Sequence, residues 1–480
     1  MFRGLLGMLP ALSYHESMKL GSANAVRPAA VAGMFYPGDA RSLAGDIADY
    51  LDQTAQQGPT PGFPKVVIVP HAGYIYSGPV AASAYDLLRP ARGVVKRVVL
   101  LGPCHRVPVR GLALPGSEAF ETPLGRIPVD VQAIGAIRGL PQVVESAATH
   151  AQEHALEVQL PFLQRVLGEF SLVPLVVGDC APDKVAEVLE RLWGGVETLI
   201  VVSSDLSHYH PYEVAREIDG ATVRAILAFD ARVSHEQACG ATPVSGALIA
   251  AKGRGLKPRL LDCRNSGDTA GGRNQVVGYA SFALHEENSR YEEQHGERLL
   301  EIARASIAEA LGFEARKPFT DEPWLREWRA TFVTLKQDEA LRGCVGLLGA
   351  QRPLADDVAA NARAAAFQDT RFEPLTREEL ARTDIEVSLL SVPKRLLFED
   401  HRDLIAQLRP GVDGIILECG GEGTGKRATF LPQVWEGLPD PEQFIAHLKQ
   451  KAGLAKDTRT ERCRVMRYTV LKWREAEMRT

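Results

Sequence analysis

The chain has 480 residues, too long for one ordinary core, so two or more domains are expected. Hydrophobic residues make up 45% and charged residues 24%, the balance of a globular protein in water, and no run is long and apolar enough to span a bilayer. A formal net charge of -5 gives no footprint for nucleic acid, and seven scattered cysteines without a CxxC pair suggest a reducing compartment. The expectation is a cytoplasmic protein with neither nucleic acid nor membrane as partner.

Residues 1–24 read as a loose extension. The weakly apolar start is interrupted by Gly4, Gly7 and Pro10, short for a signal peptide, and Met18 offers an internal start. From Val31 to Leu284, β-branched runs alternate with apolar residues at helical spacing over 77–88, 154–167, 183–193 and 212–229. A closing strand follows at 278–284. Such alternation predicts an α/β domain over 25–285, a mostly parallel or mixed sheet with helices on both faces. The charged stretch that follows marks a linker over 286–295.

A second domain is expected over 296–480. It reads as a helix at 298–311, a strand at 330–335, a helix at 354–367 and a strand at 385–390. A hairpin over 414–430 and a helix at 441–451 come next, an α+β mixture. The basic stretch 459–474 alternates with apolar residues and predicts an edge strand.

Four residues with soft-ligand chemistry stand in Gly- or Pro-marked loops: His71, His105, His208 and Cys239. Pro70-His71-Ala72-Gly73 follows Lys65 to Val69, Gly102-Pro103-Cys104-His105 follows Arg97 to Leu101, and Ser203 to His208 follows Leu199 to Val202. Ligands of α/β sheets bind beyond the carboxyl ends of the strands, so these imidazoles are placed to converge on one pocket. Imidazole and thiolate suit iron, copper or zinc, which makes a metal pocket the leading reading.

Three other motifs compete. His150-Ala151-Gln152-Glu153-His154 matches the HxxEH pattern of zinc hydrolases, although no downstream carboxylate ligand stands out and a polar helix N-terminus explains it as well. Gly420 to Lys426 imitates a phosphate loop, but Arg427 replaces the required Ser or Thr and a strand-like run follows, so a hairpin tip is expected. Arg342-Gly343-Cys344 offers a thiol beside a guanidinium, a candidate second site or a tight turn.

Residues 27–284 resemble the MEMO family. The resemblance rests on Ala32 to Pro37, Pro70 to Gly78, Gly102 to His105, Glu121 to Gly125, Glu153 to Glu157, Ser203 to Tyr209, and Cys239-Gly240. From Gly296 onward the chain resembles the AMMECR family through Leu341 to Gly346, Ala365 to Leu375, Ile385 to Ser388 and Phe430 to Val434.

The first resemblance implies a fold like class III extradiol dioxygenases. It implies His71, His105 and Cys239 as metal ligands, His208 as general acid/base, and Asp205 orienting His208 or holding the metal's water. Cys104 adds a further thiol. A Cys in the third position, where the dioxygenases keep Glu, favours redox work over ring cleavage. Iron(II) is implied first, copper next and zinc last, with a small molecule or peptide as substrate. The pair of resemblances implies an AmmeMemoRadiSam system with a radical SAM protein as partner. The alternatives are a zinc hydrolase on His150, Glu153 and His154, or a non-enzymatic peptide- or protein-binding scaffold.

Overall fold

The computed structural model describes residues 26–54, 62–285, 293–314, 322–420, 425–455 and 458–478. The extension expected over residues 1–24 and most of the expected linker lie outside them.

One sheet dominates the N-terminal half. Its strands are β1 (Val66–Val69), β2 (Arg97–Pro103), β3 (Leu112–Leu114), β4 (Val143–Glu145), β5 (Ser171–Val177), β6 (Thr198–Ser203), β7 (His208–His210), β8 (Lys257–Asn265) and β9 (Val276–His285). They are ordered β7-β9-β1-β6-β2-β5-β3-β4, with β8 paired to β9. The centre, β1-β6-β2-β5, is parallel, and β9 closes antiparallel on β1. All four residues of β1 and all six of β6 are buried. Since side chains alternate between faces, both faces of the centre are covered. This is the mixed α/β architecture that the alternating sequence predicts.

The covering helices are α1 (Ala40–Asp52), α2 (Tyr74–Tyr85), α3 (Leu160–Leu167), α4 (Pro182–Leu192), α5 (Tyr212–Leu227) and α6 (Ala241–Gly253). In α1, Asp39 caps the Ser42 amide, and Leu43, Ile47 and Leu51 form the buried stripe. The helix expected over 154–167 is two pieces, His154–Glu157 and α3. Pro161 has no N–H for the Glu157 carbonyl, so one helical bond is lost at the break. The Glu157 side-chain carboxylate accepts from Arg27, Tyr36 Oη and the Ala30 and Val31 amides in the core.

Among the described residues, the C-terminal half has two four-stranded sheets. Strands β10 (Ala330–Gln337), β11 (Ala340–Gly346) and β12 (Asp384–Leu390) belong to one. Strands β13 (Lys394–Arg395), β14 (Gly414–Cys419), β15 (Lys426–Phe430) and β16 (Cys463–Tyr468) form the other, and β17 (Val470–Arg474) returns to the first. Helices α7 (Glu293–Ala310) and α8 (Leu354–Phe367) pack on the first sheet and α9 (Pro441–Lys451) on the second.

Two expectations are corrected here. The basic stretch 459–474 is two strands, with β17 an edge but β16 between β13 and β14. Cross-strand mates Cys419 and Cys463 form a disulfide, although the sparse cysteines suggested none. The look-alike phosphate loop joins antiparallel β14 and β15 (its residues 421–424 lie outside the described ones), and the strand β15, rather than a helix that could hold an anion, follows it directly. Among the described residues, no helix is long and apolar enough to cross a membrane.

Candidate metal centre

Beyond the carboxyl ends of β1, β2 and β6, three imidazoles meet. Ligand nitrogens of His71, His105 and His154 lie within 4.8 Å of one another. His71 follows β1 and His105 follows β2. His154 is the first residue of its short helix, and its ring lies against His105 at 4.7 Å and against Phe35 at 4.8 Å.

The surrounding hydrogen bonds fix which nitrogens are free. Ser203 Oγ donates to the Ala155 carbonyl at 2.7 Å, so it accepts from Gln159 and from His71 Nδ1 at 2.8 Å. His71 is therefore protonated on Nδ1, and its Nε2 lone pair faces the Cys239 thiol at 3.3 Å. Glu153 Oε1 sits 2.9 Å from His105 Nδ1. Hydrogen bonds from His105 and the Ala155 amide hold the Glu153 carboxyl down at about 2, against the cost of its burial, so it only accepts. His105 Nε2 is open. His154 Nδ1 lies 3.4 Å from Glu153 Oε1 without hydrogen-bond alignment and is a buried nitrogen lacking a partner.

Burial, reinforced by neighbouring imidazoles, pushes His71 down to about 3 and His154 to about 4. Both rings are neutral at physiological pH, the form that binds metal. Cys239 Sγ lies 3.3 Å from His71 Nε2. Burial and the Asp205 carboxylate push its thiol up to about 12, so a metal ion would have to displace its proton. Gly240 is required for this approach, because a Cβ there would stand 2.6 Å from the Ser204 Cβ.

His208 Nδ1 donates to the Leu206 carbonyl at 2.8 Å, leaving its Nε2 open. His208 lines a pocket of about 850 Å³ with His105, Cys239 and the exposed Tyr209. Buried Asp205 does not hydrogen-bond His208. Its Oδ1 accepts the His71 amide at 2.7 Å and ties the end of β6 to the β1 loop.

The other candidates lie elsewhere. His150 is buried, with Nε2 donating to the Ala113 carbonyl at 2.8 Å, and belongs to a separate helix, Ala147–Ala151. Glu153 caps the next helix, so the HxxEH residues do not share one helical face. Cys104 Sγ donates to the Val107 carbonyl at 2.8 Å. On β11, Arg342 pairs with Glu379 at 3.1 Å and the Cys344 amide donates to Asp369. A Cβ on Gly343 would stand 2.2 Å from the Ala365 carbonyl oxygen, so that glycine admits α8. The sequence reading left His154 in a helix N-terminus and gave Glu153 no part in holding His105. Two polar residues at the start of a helix interrupted by proline were the available signal.

Residues 27–283 match the family model described as Memo-like protein, and residues 300–473 match that of AMMECR1. A MEMO1 family protein from Ignicoccus hospitalis is 37% identical over 280 residues, spanning 53% of this chain and 97% of its own. Another from Aquifex aeolicus is 38% identical over 267 residues, again 53% and 97%. A crystal structure of an uncharacterized protein from Pyrococcus horikoshii is 31% identical, covers 38% of this chain and 93% of that one, and gives a TM-score of 0.35.

Proposed function

We propose, from the premise that this chain belongs to the Memo-like family through residues 27–283, that its N-terminal half is a non-haem metal-binding redox protein. Iron is the first metal to test and copper the second. One observation carries the reading: three imidazoles within 4.8 Å of one another, with a cysteine sulfur 3.3 Å from the most buried of them. His71 Nε2 beside the Cys239 sulfur, the open His105 Nε2 and the orphaned His154 Nδ1 form a nitrogen and sulfur donor set that fits such ions.

His71, His105 and Cys239 would hold the ion, with His154 as an added ligand or a wall against His105. The ion would supply one-electron chemistry and Lewis acidity. The chain does the rest. Glu153 keeps the His105 ring oriented, Ser203 does the same for His71, and Asp205 pins the His71 backbone. His208 presents Nε2 to the pocket, where it can take a proton from a bound substrate or return one. The pocket, about 850 Å³, has room for a small molecule or a peptide side chain. The implied radical SAM partner belongs to this proposal, since both resembling halves stand in one chain.

Anaerobic purification with metal analysis and ultraviolet–visible spectra, repeated for Cys239→Ser, tests the reading. Iron or copper near stoichiometry, with a spectrum changed by the substitution, supports it. Absence of both metals, or metal content unchanged in both His71→Ala and Cys239→Ala, overturns it. A second reading, a peptide-gripping scaffold, draws on exposed Tyr209 at the pocket rim, and retention of a peptide by metal-free protein would select it.

A further inference from the structure

At the other end of the sheet, the segments that lead into the parallel strands gather. They are the end of α1 before β1, Arg89 to Arg92 before β2, and Arg165 at the end of α3 before β5. The C-terminal half docks there. The Trp328 amide donates to the Pro90 carbonyl at 3.0 Å, and Lys394 Nζ to the Leu51 carbonyl at 3.1 Å and Thr54 Oγ1 at 2.7 Å.

Between the halves lies a crevice of about 400 Å³. Its polar lining is dominated by Arg89, Arg92 and Arg165 from one side and Arg329 and Arg427 from the other. Among the described residues, Asp52 is the single carboxylate in this lining, and the rest is largely apolar, including Trp328. Three arginines are neutralised: Arg89 by Asp86 and Asp52, Arg329 by Glu327, and Arg427 by Glu418. Among the described residues, Arg92 and Arg165 form no salt bridge. Arg92 lies over the Trp328 ring at 5.7 Å and donates to the Arg165 carbonyl at 3.2 Å.

We propose that this crevice binds a phosphorylated small molecule with an apolar or planar body. Two uncompensated guanidinium groups match the charge of a phosphate monoester, close to -2 at neutral pH, better than that of a monocarboxylate. The volume falls in the range of small-molecule pockets, and Trp328 with the apolar wall offers a surface for the body of the ligand. Since both halves line the crevice, the ligand strengthens their contact. This site is independent of the metal centre, which lies beyond the opposite strand ends.

Calorimetric titration of the full chain with phenyl phosphate, inorganic phosphate, benzoate and phenol tests the assignment. Saturable binding of phenyl phosphate is expected, with each of the other three probes weaker by about tenfold or more. Arg92→Ala and Arg165→Ala should each weaken phenyl phosphate by about tenfold while leaving metal content and the melting temperature of the free protein unchanged. Both arginines are exposed, so neither substitution threatens the core. No saturable binding in the millimolar range, binding of phenol as tight as that of phenyl phosphate, or wild-type affinity in both variants overturns the proposal. Equal binding of inorganic phosphate overturns the part assigned to the apolar wall.

Discussion

Glu153 holds His105 at two points: Oε2 accepts the backbone N–H at 2.7 Å and Oε1 faces ring Nδ1 at 2.9 Å. One buried carboxylate thus sets both the position and the tautomer of an imidazole at the mouth of the pocket. Glu153→Gln keeps the size but loses the charge that makes Nδ1 a firm donor. Metal affinity should fall by about 10- to 100-fold, the usual effect of losing such an anchor. Competition with a calibrated chelator measures it, and an unchanged constant would show that the His105 ring needs no anchor.

His154 and His150, one apparent motif in the sequence, should part company on substitution. His154→Ala removes a ring from the histidine cluster and should lower metal affinity with a smaller loss of stability, since its buried Nδ1 has no hydrogen-bond partner to lose. His150→Ala removes a buried ring and leaves the Ala113 carbonyl without its donor, a loss of about 2–4 kcal/mol with the metal site intact. Metal titration and urea denaturation of both variants separate the two effects. A metal defect confined to His150→Ala would reinstate the zinc-hydrolase pattern.

The contrast shows what the sequence made legible. His71 and His105 stand out because each ends a run of residues that can only be a buried strand, and strand ends in a parallel sheet share one edge. His154 does not stand out, because its direction depends on the break between the helix Ala147–Ala151 and its own short helix, and on where the Glu153 side chain goes. The Cys419–Cys463 disulfide was hidden for a similar reason: 44 residues apart, the two become neighbours only through the register of β14 on β16. Gly343 reads as part of a reactive thiol motif until the 2.2 Å that a Cβ there would leave to the Ala365 carbonyl oxygen gives it a packing role. Periodicity locates elements, whereas side-chain partners across distant elements come only from the fold.

Buried histidines also set an acid limit. Burial depresses His150 from its ordinary 6.5 to about 4, so in that window the unfolded chain takes up a proton and the folded chain does not. Stability therefore falls as pH drops from 6.5 toward 4 and levels off below, by roughly 3 kcal/mol for this one group. His150→Gln keeps an N–H for the Ala113 carbonyl and has no titration. Its loss of stability between about pH 7 and about pH 4.5 should be smaller than the wild type's by about 2–3 kcal/mol. His71 and His154 titrate in both metal-free proteins and cancel in the comparison. Parallel pH profiles from urea denaturation would remove His150 from the account.

The joint between the halves supplies the last test. Lys394 is 3% exposed and pairs with Asp86, itself 6% exposed, while also donating to the Leu51 carbonyl and Thr54 Oγ1. Every proton of the ammonium thus goes to the N-terminal half. Lys394→Met leaves Asp86 with Arg89 alone and removes all the hydrogen bonds of a buried ammonium, for a loss of about 3 kcal/mol or more. Asp86→Asn combined with Lys394→Met removes both charges and should recover part of that loss, because the penalty comes from an uncompensated partner rather than from missing attraction. If the joint couples the halves, guanidinium denaturation of Lys394→Met should also resolve a second transition absent from the wild type. A stability change below about 1 kcal/mol with one unchanged transition would mean that the halves are held together elsewhere.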